Sequence, residues 1–260
     1  MKGHLENLRH AELDTIKSWF KPNMRVLEIG AGSGYQASVI ASWGCDVVSI
    51  DLPNRPTPPT QYYPVQDYDG TNLPFENESF NIIFSSNVLE HIQNLPPTFR
   101  EMHRVLKPNG LAIHILPNPA WRFWTSLSHY GYLLKVLLKK QNSISGEKDI
   151  SSLTQSINKN GLAQTISRVL FAGPHGEYPN ALLELYFFSR YRWLNVFKEN
   201  EFNIKKVINN GVFYTGYGLF PNMPLKRRKT IAFILGSACS TYIMHSHTSQ
   251  KSYNSDGVDR

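Results

Sequence analysis

The chain has 260 residues, of which 41% are hydrophobic and 18% charged, and its formal net charge is +7. That balance excludes a disordered chain and leaves room for one α/β domain with an insertion. Its only cysteines, Cys45 and Cys239, lie far apart and in no metal-spaced cluster; this excludes a disulfide framework or a structural zinc module and reads as free thiols in a reducing cytoplasm.

In chain order, Met1 to Glu6 has no apolar leader core, so no secretory signal is expected. Leu5, Leu8, Leu13, Ile16 and Trp19/Phe20 recur at roughly helical spacing over residues 4–20, which predicts a lid or packing helix. Val26, Leu27 and Ile29 predict a strand over 25–29 that is buried on both faces. Gly30, Gly32 and Gly34 crowd the next turn, and a helix is expected over 34–43, stopped by Gly44. A second strand runs from Asp46 to Ile50 and ends at Asp51. Five prolines between Pro53 and Pro64 impose an irregular or extended path. A third strand is weakly written near Tyr63 to Gln66, and a fourth strongly over Phe80 to Ser85. A short helix at Val88 to Ile92, a longer one from Pro97 to Leu106, a Pro108-Asn109-Gly110 turn and a strand over Leu111 to Leu116 follow.

The β-α alternation then stops. Trp121 to Leu138 is aromatic and aliphatic at helix-like spacing, and ends in Lys139-Lys140. Gln141 to Lys159 is polar and reads as a mobile loop. A helix over 187–200, a strand over Asn203 to Asn209 and a last strand over Ser240 to Ser246 restore the α/β character. The apolar stretch Ile231 to Met244 contains Gly236, Ser237, Ser240 and Thr241 and is too interrupted to span a bilayer. The expected organisation is a core over 1–117, a mainly helical insertion or cap over 118–186, completion of the core over 187–247 and a disordered tail over 248–260. Alternating strands and helices imply a parallel sheet covered on both faces.

Strand, glycine turn and helix together place a nucleotide-like ligand against a helix N-terminus. A dinucleotide fingerprint needs a third glycine where this chain has Tyr35, and Glu28 inside the strand would repel a pyrophosphate while suiting a cationic amine. Glu28-Ile29-Gly30-Ala31-Gly32-Ser33-Gly34 resembles motif I of the class I S-adenosylmethionine-dependent methyltransferases. Three further segments, in order, carry the same resemblance: Asp69 ahead of Leu73-Pro74-Phe75, Phe80 through Leu89-Glu90-His91, and Arg104 through Gly110. Asn81 and Asn109 depart from the usual Asp and Gly of these motifs.

The resemblance implies a Rossmann-like doubly wound sheet of seven strands ordered 3-2-1-4-5-7-6, with strand seven antiparallel and a helical insertion after strand five. It also implies a cofactor, S-adenosyl-L-methionine, held by Glu28, Gly30, Ala31, Gly32 and Gly34. Asp51 would accept the ribose hydroxyls, with Leu52 over one adenine face. Asp69, with Asp67 in reserve, would accept the adenine amino group while the Gly70 N–H meets a ring nitrogen. Ser86 and Asn87 would stand beside the sulfonium, Asn87 with its amide oxygen toward the methionine amino group. His91 and the Arg104-to-Gly110 turn are read as packing elements.

Methyl transfer by in-line displacement asks chiefly for alignment and exclusion of water. A hydroxyl acceptor also gains from a general base; His114, His129 and His175 are candidates, with His175 preferred because Gly173, Pro174 and Gly176 fix its loop and Glu177 can orient it. The expected acceptor is a small molecule, sugar or lipid. Leu116-Pro117-Asn118-Pro119 followed by an aromatic cap is similar to methyltransferases of bacterial cell-surface glycan and lipid pathways. The 121–140 segment, aromatic with a basic end, suggests peripheral contact of a cytoplasmic protein with the inner face of a membrane. No metal is expected, and no nucleic acid, since no N/D-P-P-Y/F motif follows strand four. The competing readings are an NAD-dependent oxidoreductase and a non-enzymatic binding protein on a degenerate methyltransferase fold.

Overall fold

The computed structural model describes residues 2–141, 181–215 and 223–246. His175, the 142–159 part of the expected mobile loop and the 248–260 tail lie outside the described residues. Helix α1 (Lys2–Asp14) precedes β1 (Arg25–Ile29), α2 (Tyr35–Ser42), β2 (Asp46–Asp51), β3 (Gln66–Asp67) and β4 (Phe80–Ser86). Then come α3 (Leu95–Val105), β5 (Leu106–Pro117), α4 (Pro119–Gln141), α5 (Ala181–Phe187), α6 (Arg190–Glu199), β6 (Phe202–Asn209), α7 (Leu225–Leu235) and β7 (Cys239–Ser246).

The sheet order is β3-β2-β1-β4-β5-β7-β6. β1 pairs in parallel with β2 and β4, β2 with β3, and β4 with β5. β7 runs antiparallel to both β5 and β6. This is the arrangement the family resemblance implies.

Alternation along the strands builds two cores. Leu27, Ile29 and Ile83 face one layer with Phe99, Trp193, Phe197 and Tyr242. Val26, Ile82 and Phe84 face the other with Leu13, Ile16, Phe20, Ala37 and Ile40. Strands buried on both faces need the continuous apolar runs that made β1 and β4 readable.

Three local features differ from, or sharpen, the sequence reading. β3 comprises only Gln66–Asp67, displaced toward the C-terminus from the expected position, because the proline-rich stretch before it supplies no ladder donors at five positions. The Pro108-Asn109-Gly110 turn sits inside β5: pairing jumps from Phe80↔Leu106 to Ile82↔Leu111, with Asn109 at φ 62°. Helix α7 was read only as a basic run and part of an apolar stretch. Its charged and apolar residues are separated along the axis rather than around it, so no helical periodicity marks it.

Asn81, standing where the family has Asp, accepts from the Arg25 N–H at 2.9 Å and from Lys107 Nζ at 3.3 Å. It fixes the start of β4, at the opposite end from the candidate site. Arg104 donates to the Leu73 and Phe75 carbonyls and to Glu101, so that motif is a brace. Beyond β5, Arg122 of α4 and Glu184 of α5 form a buried ion pair at 2.7 Å, which fastens these helices together.

Candidate active site

The carboxyl ends of β1, β2 and β4 meet at the switch point of the sheet, where α/β folds leave a crevice. The turn after β1 is anchored by the Gly30 and Ala31 N–H groups, which donate to the Ile50 carbonyl at 2.9 and 3.2 Å. Its three glycines all have positive φ, for different reasons. A Cβ on Gly30 would stand 2.3 Å from Val88 Cγ2, and one on Gly34 would meet Tyr63 Cβ and O at 2.8 Å. A Cβ on Gly32 would meet nothing within 4 Å; it would project into the space a ligand needs.

Two cavities adjoin this turn and share Gly30. One, of about 510 Å³, is lined by Asp51, Leu52, Tyr68, Asp69, Gly70, Asn87, Val88, His91 and Ile92 besides Gly30. Asp51 Oδ2 accepts from the Gly32 N–H and Oδ1 from the Leu52 N–H, each at 2.7 Å. Both carboxylate oxygens are thereby fixed, and each keeps a lone pair for a ligand hydroxyl. Asp69 is held below its usual carboxylate value by the Asn72 side-chain amide and the Thr71 and Asn72 N–H groups. Leu52, 47% exposed, offers an apolar face. Asp67, by contrast, is paired with Arg55 and does not line the cavity.

The second cavity, of about 430 Å³, lies under α1. Leu5, Glu6 and Arg9 of α1 form one wall; Gly30, Ala31, Gly32, Ser33, Tyr35, Gln36 and Ser86 form the other, with Pro59, Thr60 and Tyr62 of the proline-rich segment. Tyr35 and Tyr62 meet edge to face at 5.3 Å.

Arg9 is the charged cavity-lining residue the sequence reading missed. Its guanidinium donates to Glu12 at 2.9 Å and to Ser86 Oγ at 3.2 Å. With its amide oxygen turned toward Arg9, Asn87 accepts from that guanidinium at 3.2 Å. Asn87 reaches this position with φ 55°, the left-handed region that asparagine tolerates. Glu12 is fully buried and also accepts from Asn210 Nδ2 at 2.9 Å. The i, i+3 spacing of Arg9 and Glu12 was legible; that both turn inward was not.

Glu28 and Gly34 line neither cavity. The Glu28 carboxyl points between β1, β2 and α2, where Ser49 Oγ donates to it at 3.1 Å. Burial pushes it up to about 8, against the Ser49 hydroxyl and the Ala37 N–H. Gly34 is required by the Tyr63 backbone packed on it. Gly30, Ala31, Gly32, Asp51, Leu52, Asp69, Gly70 and Asn87 do come together at the cavities. His91 lines the Asp51 cavity rather than serving only as packing. His114 is wholly buried, bonded through Nδ1 to Ser85 Oγ at 2.7 Å, and burial depresses it to about 3, so it reaches neither cavity. Glu90, beside His91 in the motif, is buried too, and burial raises it to about 8.

The donor set fits an adenosyl sulfonium cofactor. The Asp51 cavity has two acids and, among its lining residues, no Lys or Arg; that suits a nucleoside without phosphates and opposes a dinucleotide. The one cation among the described residues that line the second cavity, Arg9, suits a carboxylate. No group of His, Cys, Asp and Glu among the described residues could hold a metal ion.

Fold and crevice together define an α/β protein that binds a nucleoside at the carboxyl edge of its sheet. A family model described as a methyltransferase domain matches residues 2–203; the chain belongs to that family, the class I S-adenosylmethionine-dependent methyltransferases. Among curated relatives, an uncharacterized methyltransferase of Bacillus subtilis, YbaJ, is 31% identical over 134 residues, covering 46% of this chain and 52% of its own length. The demethylmenaquinone methyltransferase of Beutenbergia cavernae is 31% identical over 138 residues, 50% of this chain and 55% of that protein. The ubiquinone biosynthesis O-methyltransferase of Bartonella tribocorum is 27% identical over 149 residues, 54% of this chain and 60% of that protein. The chain thus spans about half the length of the curated relatives it matches. A solved geranyl diphosphate C-methyltransferase of Streptomyces coelicolor shares the fold, with TM-score 0.51 and 12% identity over 94% of this chain and 81% of the other.

Proposed function

We propose that the protein transfers a methyl group from S-adenosyl-L-methionine to a small lipophilic acceptor, a lipid-type molecule or a sugar-linked one. The observation that carries this reading is the pair of cavities meeting at Gly30, one walled by Asp51 and Asp69, the other by Arg9 and apolar and aromatic side chains. When bound, S-adenosyl-L-methionine supplies an activated methyl group on a sulfonium, open to in-line displacement.

The chain's own residues do the rest. Asp51, with its oxygens fixed by two N–H groups, accepts the ribose hydroxyls. Leu52, Ile92 and Asp69 border the base. Arg9, steadied by Glu12, Ser86 and Asn87, pairs with the methionine carboxylate. Gly32 leaves the backbone bare in the second cavity, two residues from Gly30 where the cavities meet. Helix α1 walls one side of the second cavity with Leu5, Glu6 and Arg9, which shields a bound ligand from water on that side.

The acceptor class draws support from the relatives, whose names specify a menaquinone precursor, ubiquinone biosynthesis and a sterol. Leu5 and Tyr35 give the second cavity apolar surface of the kind such a molecule needs.

Calorimetry with S-adenosyl-L-methionine and S-adenosylhomocysteine tests the cofactor half: both bind, NADH does not, and Asp51→Ala weakens both at least tenfold. Binding of NADH with neither sulfonium nor thioether ligand would sink the reading. Mass spectrometry of lipid extracts from cells with and without the protein, searched for gain of one methyl group, tests the acceptor half.

A further inference from the structure

We propose that α7, with the start of α4, is a docking surface for an anionic phospholipid bilayer. The sequence run Lys226-Arg227-Arg228-Lys229 divides in the structure. Arg228 is buried and spends its guanidinium on the Met223, Phe213, Tyr214 and Thr215 carbonyls. Lys226, Arg227 and Lys229 are exposed. All three sit in the first turns of α7, which has no acidic residue in its first turn. Cations there oppose the helix dipole, so their placement weakens the isolated helix. An anion at that end relieves both the repulsion and the orphan N–H groups.

The other end of the helix is apolar and uncovered. Phe233 is 93% exposed and Ile234 77% exposed, far beyond the partial exposure usual for a scattered surface residue. Along α7 the three cations precede the bare apolar pair by four to eight residues, about 6–12 Å of axial rise. That separation, cations at one end and apolar side chains at the other, matches a bilayer surface, where phosphates lie outside the acyl boundary.

A second helix enlarges the apolar end. Trp124 Nε1 of α4 donates to the Leu235 carbonyl at 2.9 Å, and a Cβ on Gly236 would stand 2.7 Å from Ala120 Cβ. Within two turns of that contact α4 exposes Phe123 at 51%, Leu127 at 51% and Tyr130 at 47%. Their i, i+4, i+7 spacing places them on one stripe. Aromatic residues beside a cationic cluster are what an interfacial helix carries. The described residues give Lys226, Arg227 and Lys229 no carboxylate partner, so their charge is available to the bilayer. No described helix is long and apolar enough to cross a membrane; the contact is peripheral. It stands independently of the acceptor reading.

The test is co-sedimentation of the full chain with phosphatidylglycerol/phosphatidylcholine vesicles and with phosphatidylcholine vesicles alone. Binding is expected on the mixed vesicles, at least tenfold weaker on the neutral ones and falling with salt. Phe233→Glu/Ile234→Glu and Lys226→Glu/Arg227→Glu should each cut it at least tenfold. Both variants alter exposed side chains, so S-adenosylhomocysteine affinity and melting temperature should be unchanged, which separates this result from failure of the cofactor site. Absence of binding to anionic vesicles, or binding that neither variant reduces, overturns the proposal. So does a concentration-dependent dimer that Phe233→Glu/Ile234→Glu dissociates, which would assign the surface to a second copy of the chain.

Discussion

At the scale of single residues, charge placement separates ligand-facing groups from structural ones. Arg9 is 21% exposed and lines a cavity, whereas its partner Glu12 is fully buried. Arg9→Ala therefore removes two things at once. It deletes the charge-assisted contact proposed for the methionine carboxylate, worth about 1.5–3 kcal/mol, or about ten- to hundredfold in affinity. It also leaves Glu12 buried without its cation, at a cost of about 3–5 kcal/mol in stability. Glu12→Gln in the Arg9→Ala background should restore much of the melting temperature and none of the affinity; recovery of both would show that Arg9 acts only through the fold. Glu28 makes the opposite case. Burial pushes it up to about 8, so it is mostly protonated at pH 7 and still accepts from the Ser49 hydroxyl and the Ala37 N–H. A glutamine amide meets the same two partners. Glu28→Gln should keep S-adenosylhomocysteine affinity within threefold at pH 7; a loss above tenfold would make the Glu28 carboxylate a direct ligand group.

At the scale of elements, the strand–turn–helix unit from β1 to α2 shows what was legible. Apolar runs gave β1, β2, β4 and β5 because each is buried on both faces, and the glycine turn located the cofactor end. Asp51, Asp69 and Asn87 were readable since each ends a strand or sits in a motif turn. Arg9 was not: a helix 21 positions before Gly30 carries no pattern showing that its polar edge returns over the crevice. Glu28 and Gly34 were read as ligand groups because the motif holds them together. The structure separates them, one turned into the sheet and one pressed against Tyr63. The same unit yields a paired prediction. Gly32→Ala meets no atom, so it costs only the left-handed backbone strain, about 1–2 kcal/mol, while its methyl enters ligand space. Gly30→Ala places a Cβ 2.3 Å from Val88 at φ +75°, and pushes apart the turn and the segment after β4. Thermal melts and calorimetry together should find Gly32→Ala folded and weak in cofactor binding, and Gly30→Ala clearly less stable. Equal melting temperatures for the two would contradict the packing argument.

At the scale of the whole molecule, three buried ionisable groups set how stability depends on pH. Burial raises Glu28 and Glu90 from 4.5 to about 8, and lowers His114 from 6.5 to about 3. Between pH 6.5 and 8 the folded chain holds both glutamate protons that the unfolded chain has released. Stability then falls as pH rises, by at most about 1.4 kcal/mol per pH unit for each proton. Between 4.5 and 6.5 the unfolded chain gains a proton on His114 that the folded chain refuses, which cancels one of the two. Below 4.5 the unfolded glutamates also protonate; only the histidine difference is left, and acid destabilises the fold down to about pH 3. Asp69 and Glu101, both held below the usual carboxylate range by hydrogen bonds, add to that acid loss. The stability maximum therefore lies on the acid side of neutrality, an unusual position for a chain with net charge +7, whose self-repulsion alone would favour higher pH. Melting temperatures across pH 4 to 9 measure this directly. The expected trace declines most steeply between 6.5 and 8, and Glu28→Gln/Glu90→Gln flattens that arm while leaving the acid arm in place. A melting temperature that rises from pH 6.5 to 8 would mean that these carboxyls are ionised inside the fold, and that cations reach them there.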